Sequence, residues 1–150
     1  MTQNLDPLSE AELLIRLFDA AKLAQANAHA PYSRFPVGAA LRTVSGAIFV
    51  GCNVENAAYP EGSCAETGAI AAMVAAGERE ITHMLVMGDG VTPLTPCGAC
   101  RQRIAEFGTV ETLVYGATRE DQGTAMRMGD LLPHAFTAHR LAEGRLKGDR

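Results

Sequence analysis

The chain has 150 residues, of which 47% are apolar and 20% charged, with a formal net charge of −4. That length suits one compact domain, 1–150, with a single core, and no segment reaches the roughly 20 apolar residues that cross a bilayer. Polynucleotide binding draws much of its affinity from basic side chains on phosphates, and no Lys or Arg run occurs here, so the expected partner is a small molecule, with no nucleic acid polymer and no membrane.

Residues 1–8 read as a short leader, without the basic stretch and apolar run of a secretory signal. A helix is predicted from Ser9 to about Ala28. Ser9 and Glu12 match a capping box, and Leu13, Leu14, Leu17 and Phe18 recur at helical spacing. Val37–Val44 and Ala47–Gly51 flank Ser45-Gly46, the pattern of a β-hairpin. After turn-rich residues 52–63, a second helix is expected from near Cys64 to a C-terminal cap at Gly77. Its body, residues 69–76, is apolar all round, which suggests a buried helix whose outer face meets another subunit, or an Ala-rich helix that tolerates exposure. Ile81–Gly88 reads as a strand, Cys97–Gly108 as a helix, Glu111–Gly116 as a strand and Thr124–Met128 as a weaker one. Helices alternating with strands indicate an α/β layered domain whose sheet is at least partly parallel. The core is expected over about 9–136. The tail, 137–150, is polar and reads as a frayed helix or as disordered.

Four cysteines in such a chain point to a reducing compartment, the cytoplasm by default, and to a role other than disulfides. Three of them occupy two helix starts: Ser63-Cys64-Ala65-Glu66 and Pro96-Cys97-Gly98-Ala99-Cys100. Three thiolates suit zinc, which binds tetrahedrally and keeps its fourth position for water when the protein supplies three ligands. Helix N-termini favour the thiolate form. Glu66, two residues beyond the first cysteine, can face that water and move a proton from it to a substrate nitrogen. Other readings exist. Cys97 and Cys100 alone could be a redox pair or half of a structural site completed by Cys52, and Ser63 with Glu66 could be a second capping box. The compound signal, Cys-x-Glu followed about thirty residues later by Pro-Cys-x-x-Cys, is the three-cysteine variant of the zinc nucleobase deaminase signature.

With these motifs in place the chain resembles the small, homotetrameric cytidine deaminases, from about Leu13 to Phe136. The resemblance rests on Tyr32-Ser33-Arg34-Phe35-Pro36-Val37-Gly38-Ala39-Ala40, on Gly51-Cys52-Asn53-Val54-Glu55-Asn56-Ala57-Ala58-Tyr59-Pro60, on the two cysteine motifs with Arg101-Gln102, and on Leu131-Leu132-Pro133-His134-Ala135-Phe136. It implies a three-layer α/β/α fold around a mixed five-stranded sheet. It also implies zinc held by Cys64, Cys97 and Cys100, with Glu66 as the proton shuttle. Phe35 would pack on the pyrimidine, Asn53 and Glu55 would hold the ribose hydroxyls, and the backbone at Ala65 would read the base. Tyr59 and Phe136 would reach a neighbouring subunit's pocket, making composite sites in a homotetramer. Cys52 is not a ligand in that family and reads as a small apolar residue.

One position departs. Many three-cysteine relatives carry Arg directly after the catalytic Glu, offsetting the thiolate charge, and here Thr67 stands there. Helix dipoles, the Thr67 hydroxyl or Arg101 are the candidates to compensate. The implied activity is hydrolytic deamination of cytidine and deoxycytidine to uridine and deoxyuridine with release of ammonia, a step of pyrimidine salvage. A zinc-activated water would attack C4 while Glu66 protonates N3. The competing readings are a deaminase of another cytosine nucleoside, such as a nucleoside antibiotic, and a non-catalytic zinc-stabilised binding module.

Overall fold

The computed structural model describes residues 8–145; the leader expected at 1–8 lies outside them apart from Leu8, as does the tail beyond Arg145. The elements are α1 (Glu10–Gln25), β1 (Gly38–Thr43), β2 (Ile48–Cys52), α2 (Ala65–Ala75), β3 (Ile81–Met87), α3 (Gly98–Phe107), β4 (Leu113–Ala117), β5 (Ala125–Arg127), α4 (Met128–Leu131) and α5 (Ala138–Arg145). The sheet runs β2-β1-β3-β4-β5, with β3 and β4 parallel and every other neighbouring pair antiparallel. It is the mixed five-stranded sheet of the expected fold.

Side chains alternate across a strand, and that alternation divides the core into two layers. Ala39, Leu41, Met84, Val86 and Val114 pack with α2 and α3 through Ala69, Met73 and Ile104. Their neighbours Ala40, Leu85, Met87 and Tyr115 pack against Leu13, Leu17 and Ala21 of α1 on the opposite face. The domain is therefore three-layered, α/β/α. Among the described residues no helix is long and apolar enough to cross a membrane.

The end signals hold well. Ser9 and Glu12 close α1 with the expected reciprocal capping box, although α1 stops at Gln25, three residues early. Gly46 turns the β1–β2 hairpin at φ 90°. At the end of α2, Gly77 takes φ 92°, with Gly77 N–H donating to Val74 O and Glu78 N–H to Met73 O, both at 3.1 Å. That pair of bonds is a Schellman cap. The short helix α4 was not foreseen, because four residues are too few to show a period. The start of the polar tail forms α5.

The helix that carries two of the site residues depends on an absent side chain. A Cβ on Gly51 of β2 would overlap the Ala65 carbonyl oxygen and the Ala69 amide nitrogen and lie 2.8 Å from the Gly68 carbonyl carbon. Backbone meets backbone there, with α2's first turn seated directly on the edge strand. Gly51→Ala should therefore lift that turn away, costing about 1–3 kcal/mol as overpacking does and loosening any metal held by Cys64. A melting curve and zinc content measured on the same preparation check this, and an unshifted Tm with full zinc would refute it.

Candidate zinc and nucleoside site

Cys64 is the N-cap of α2 and Cys97 the N-cap of α3, both in extended backbone and neither using its side chain as a cap. Cys100 lies three residues into α3 and is fully buried. The Arg101 N–H bonds to Cys97 O at 2.9 Å, so the first turn of α3 fixes the spacing of its two thiols. Cys64 Sγ and Cys97 Sγ are 4.0 Å apart, and all three sulfurs lie within 4.8 Å of one another. Zinc–sulfur bonds of 2.3 Å in a tetrahedron require sulfurs about 3.8 Å apart, so the donor set fits the ion closely.

Among the described residues no fourth His, Cys, Asp or Glu joins this cluster. Cys52, the candidate fourth ligand of a structural site, is a free thiol outside it. Burial pushes the Cys64 and Cys100 thiols up, with repulsion from neighbouring acidic groups adding to it. Burial also raises Cys97, but hydrogen bonds from Cys100 and Cys64 outweigh it and leave that thiol below its ordinary value. Binding all three as thiolates requires a cation to reverse the cost of burying charge.

Glu66, the second residue of α2, is only 3% exposed. Burial pushes its carboxyl above the ordinary carboxylate value, while hydrogen bonds from its own backbone and from Cys100, and the charge of Arg103, hold it partly down. The capping-box alternative for Glu66 fails: Cys64, not Ser63, is the N-cap, and Ser63 N–H pairs instead with Val54 O at 2.9 Å. A carboxyl buried and raised in this way, beside three thiols that could hold a metal, has the chemistry a proton carrier needs.

Of the candidates to offset the thiolate charge, Arg101 is occupied elsewhere. Its guanidinium donates to Pro96 O at 2.9 Å, to Leu131 O at 3.0 Å and to Thr95 Oγ1 at 3.4 Å. Thr67 Oγ1 is the one buried side-chain polar atom without a partner among the described residues. That leaves its hydroxyl available, beside the pair of helix N-termini aimed at the thiols through their N-cap positions and the charge of Arg103 that reaches Glu66.

Beside Cys64, Cys97 and Glu66 opens a cleft of ≈ 380 Å³ whose walls include Phe35, Asn53, Glu55, Tyr59 and Ala65. The sequence missed Leu94 and Thr95, which also line the cleft; their place directly before Pro96-Cys97 was the available signal. The main chain draws the loop that carries Asn53 and Glu55 toward the thiol cluster, since Val54 and Ser63 form an antiparallel bridge one residue before Cys64. The Asn53 amide spans two turns of chain, accepting from Val37 N–H at 2.8 Å and donating to Phe35 O at 3.0 Å. Glu55 Oε2 accepts the N–H groups of Tyr32 and Ser33 at 2.9 and 3.2 Å. A side-chain hydrogen bond with Ser33 holds its carboxyl below the usual range. Both residues thus shape the loop and still wall the cleft. Phe35, 38% exposed, is no core residue. Tyr59 is 76% exposed and meets Tyr32 edge-on at 5.8 Å between centroids. Phe136 is not brought to the cleft; it is 62% exposed, with its carbonyl held by Gln102 at 2.7 Å.

The arrangement is that of a zinc enzyme built on two helix N-termini of an α/β/α domain. A family model described as the cytidine and deoxycytidylate deaminase zinc-binding region matches residues 11–117. A cytidine deaminase of Sporosarcina psychrophila is 41% identical over 127 residues, which are 85% of this chain and 93% of that one. The crystal structure of the Burkholderia pseudomallei cytidine deaminase superposes with a TM-score of 0.78 at 42% identity, over 86% of this chain and 100% of the other. The Mycobacterium tuberculosis cytidine deaminase gives 0.72 at 38% identity, over 81% of this chain and 95% of that one. The chain belongs to the cytidine and deoxycytidylate deaminase family.

The ligand set has a direct consequence. Cys97→Ala should abolish zinc retention, whereas Cys52→Ala should leave one zinc per chain, because only the first thiol is within reach of the cluster. Metal analysis after gel filtration decides it, and zinc loss in both variants would overturn the three-ligand assignment.

Proposed function

We propose that this chain hydrolyses cytidine and deoxycytidine to uridine and deoxyuridine with release of ammonia. The observation that carries the reading is the meeting, along one cleft, of Cys64, Cys97 and the buried carboxylate Glu66, with Cys100 behind them completing a set of three thiols within 4.8 Å of one another. Cys64, Cys97 and Cys100 would hold zinc, which supplies the Lewis acidity that makes water a nucleophile near neutral pH. Glu66 takes one proton from the attacking water and gives it to N3 as the C4–O bond forms. It then carries the second proton from that oxygen to the exocyclic amino group. Ammonia leaves with the electrons of the C4–N bond, and C4 is left as the carbonyl of uracil.

Phe35 stacks on or beside the base, the backbone at Ala65 reads it, and Asn53 and Glu55 bind the ribose through the atoms their loop bonds leave free. The exposed Tyr59 and Phe136 side chains are the contributions to a neighbouring subunit's site in a homotetramer. Ala71, Ala72 and Ala75, exposed on an α2 without a polar face, support the same assembly. We place the protein in the cytoplasm, in pyrimidine salvage, as one domain whose core spans about 9–136.

Zinc-loaded protein mixed with cytidine should show the ultraviolet change of conversion to uridine. Glu66→Ala should keep its zinc and its melting temperature but lose at least about 10³-fold in kcat, within the range of positioned proton transfer. Zinc bound without turnover of cytidine would favour another cytosine nucleoside first and a non-catalytic module second. Retained activity in the variant would remove Glu66 from the mechanism.

A further inference from the structure

Gly88 follows the last residue of β3, and its N–H donates to Ala117 O at 3.2 Å. A glycine at such a site often answers to a left-handed backbone, but the glycines with positive φ are Gly46, Gly77 and Gly123. Gly88 is not one of them, so its backbone suits any residue. What excludes a side chain is space. A Cβ there would lie 3.0 Å from Phe35 Cζ, 3.2 Å from Phe35 Cε1 and 3.1 Å from Leu94 Cδ2. Both neighbours are walls of the cleft, while Gly88 itself stands behind them.

The Phe35 main chain cannot yield to such a contact. Its N–H donates to Ser33 Oγ and its carbonyl accepts from Asn53 Nδ2, both at 3.0 Å. The preceding Arg34 has φ 56°, the one positive value at a non-glycine among the described residues. Its N–H is tied to Ala30 O at 3.0 Å. A strained, fully bonded turn therefore delivers the ring to its place. With that chain pinned, a methyl group at position 88 requires the ring edge itself to give by a few tenths of an ångström, which moves it toward the cleft it walls. Leu94 ends in a flexible side chain and gives way more cheaply.

We infer that Gly88 sets the width of the base slot: its missing side chain is the recess that seats the Phe35 ring. It is a specificity-determining residue that never touches the substrate. The inference rests on the nucleoside deaminase reading above. Gly90 supplies an internal control, since a Cβ there would stand 4.0 Å from Phe35 Cε2, an ordinary contact.

The test measures uridine binding by calorimetry and cytidine kinetics on the zinc-loaded full chain. Gly88→Ala should weaken uridine binding and raise KM for cytidine about tenfold, the scale of an overpacked contact, while kcat changes less than about threefold because Glu66 and the thiols lie on another wall. Gly90→Ala should stay within about twofold of the parent. Leucine has no atoms where the ring edge stands, so in a Phe35→Leu background the added Gly88→Ala change should cost less than about twofold. Parental binding in Gly88→Ala, an equal loss in Gly90→Ala, or an undiminished loss in the leucine background would each overturn the inference. If Gly88→Ala alone fails to fold, recovery of folding by Phe35→Leu supports it and failure in both backgrounds refutes it. A parent chain that neither binds uridine nor turns over cytidine instead defeats the functional reading itself, and this inference with it.

Discussion

Three thiols this close can be thiolates together only around a cation, and the way the chain brings them together governs the rest of the molecule. Two come from N-cap positions of different helices, so the first turns of α2 and α3 must meet at one end of the sheet. The backbone-on-backbone seat of α2 against Gly51 makes that approach possible. The parallel β3–β4 pair, crossing over through α3, delivers the other helix to the same end. Both helix dipoles then act on the same charges. With Arg101 bonded to carbonyls, those dipoles, the unpartnered Thr67 hydroxyl and the charge of Arg103 near Glu66 are the compensation the described residues offer.

The loop side of the cleft has a different construction. Its residues sit on loops, and each is held by main-chain bonds before it meets any ligand. Asn53 clips Phe35 to Val37, Glu55 gathers Tyr32 and Ser33, and the Val54–Ser63 bridge ties this loop to the approach of Cys64. Such double use makes the walls stiff, and stiff walls let a small recess such as Gly88 matter. It also means that removing Asn53 or Glu55 disturbs shape and contact together, whereas removing Gly88's recess disturbs shape alone.

Much of this was legible in the sequence because its signals are local. A capping box at Ser9, a hairpin glycine at Gly46 and a helix-ending glycine at Gly77 each depend on residues within one turn. The three cysteines and Glu66 announced themselves by spacing and chemistry. The order of the strands was not legible from local pattern, since pairing β1 between β2 and β3 is decided by which faces need covering. Leu94 and Thr95 escaped notice because nothing in their own chemistry marks a wall residue. Asn53 looked like a turn residue or a ribose ligand, and its amide bonds show the first role without removing the second. Glu66 illustrates the reverse: a pattern that fits a capping box is overruled once the helix begins at Cys64 and the carboxylate is buried.

The account stands on a site with three protein ligands and one place left open. X-ray absorption at the zinc edge of the loaded protein measures that directly. Three sulfurs at about 2.3 Å with one oxygen or nitrogen at about 2.0 Å is the result predicted by the Cys64, Cys97 and Cys100 cluster. Four sulfurs, with Cys52 drawn in, would close the coordination sphere and contradict a catalytic site.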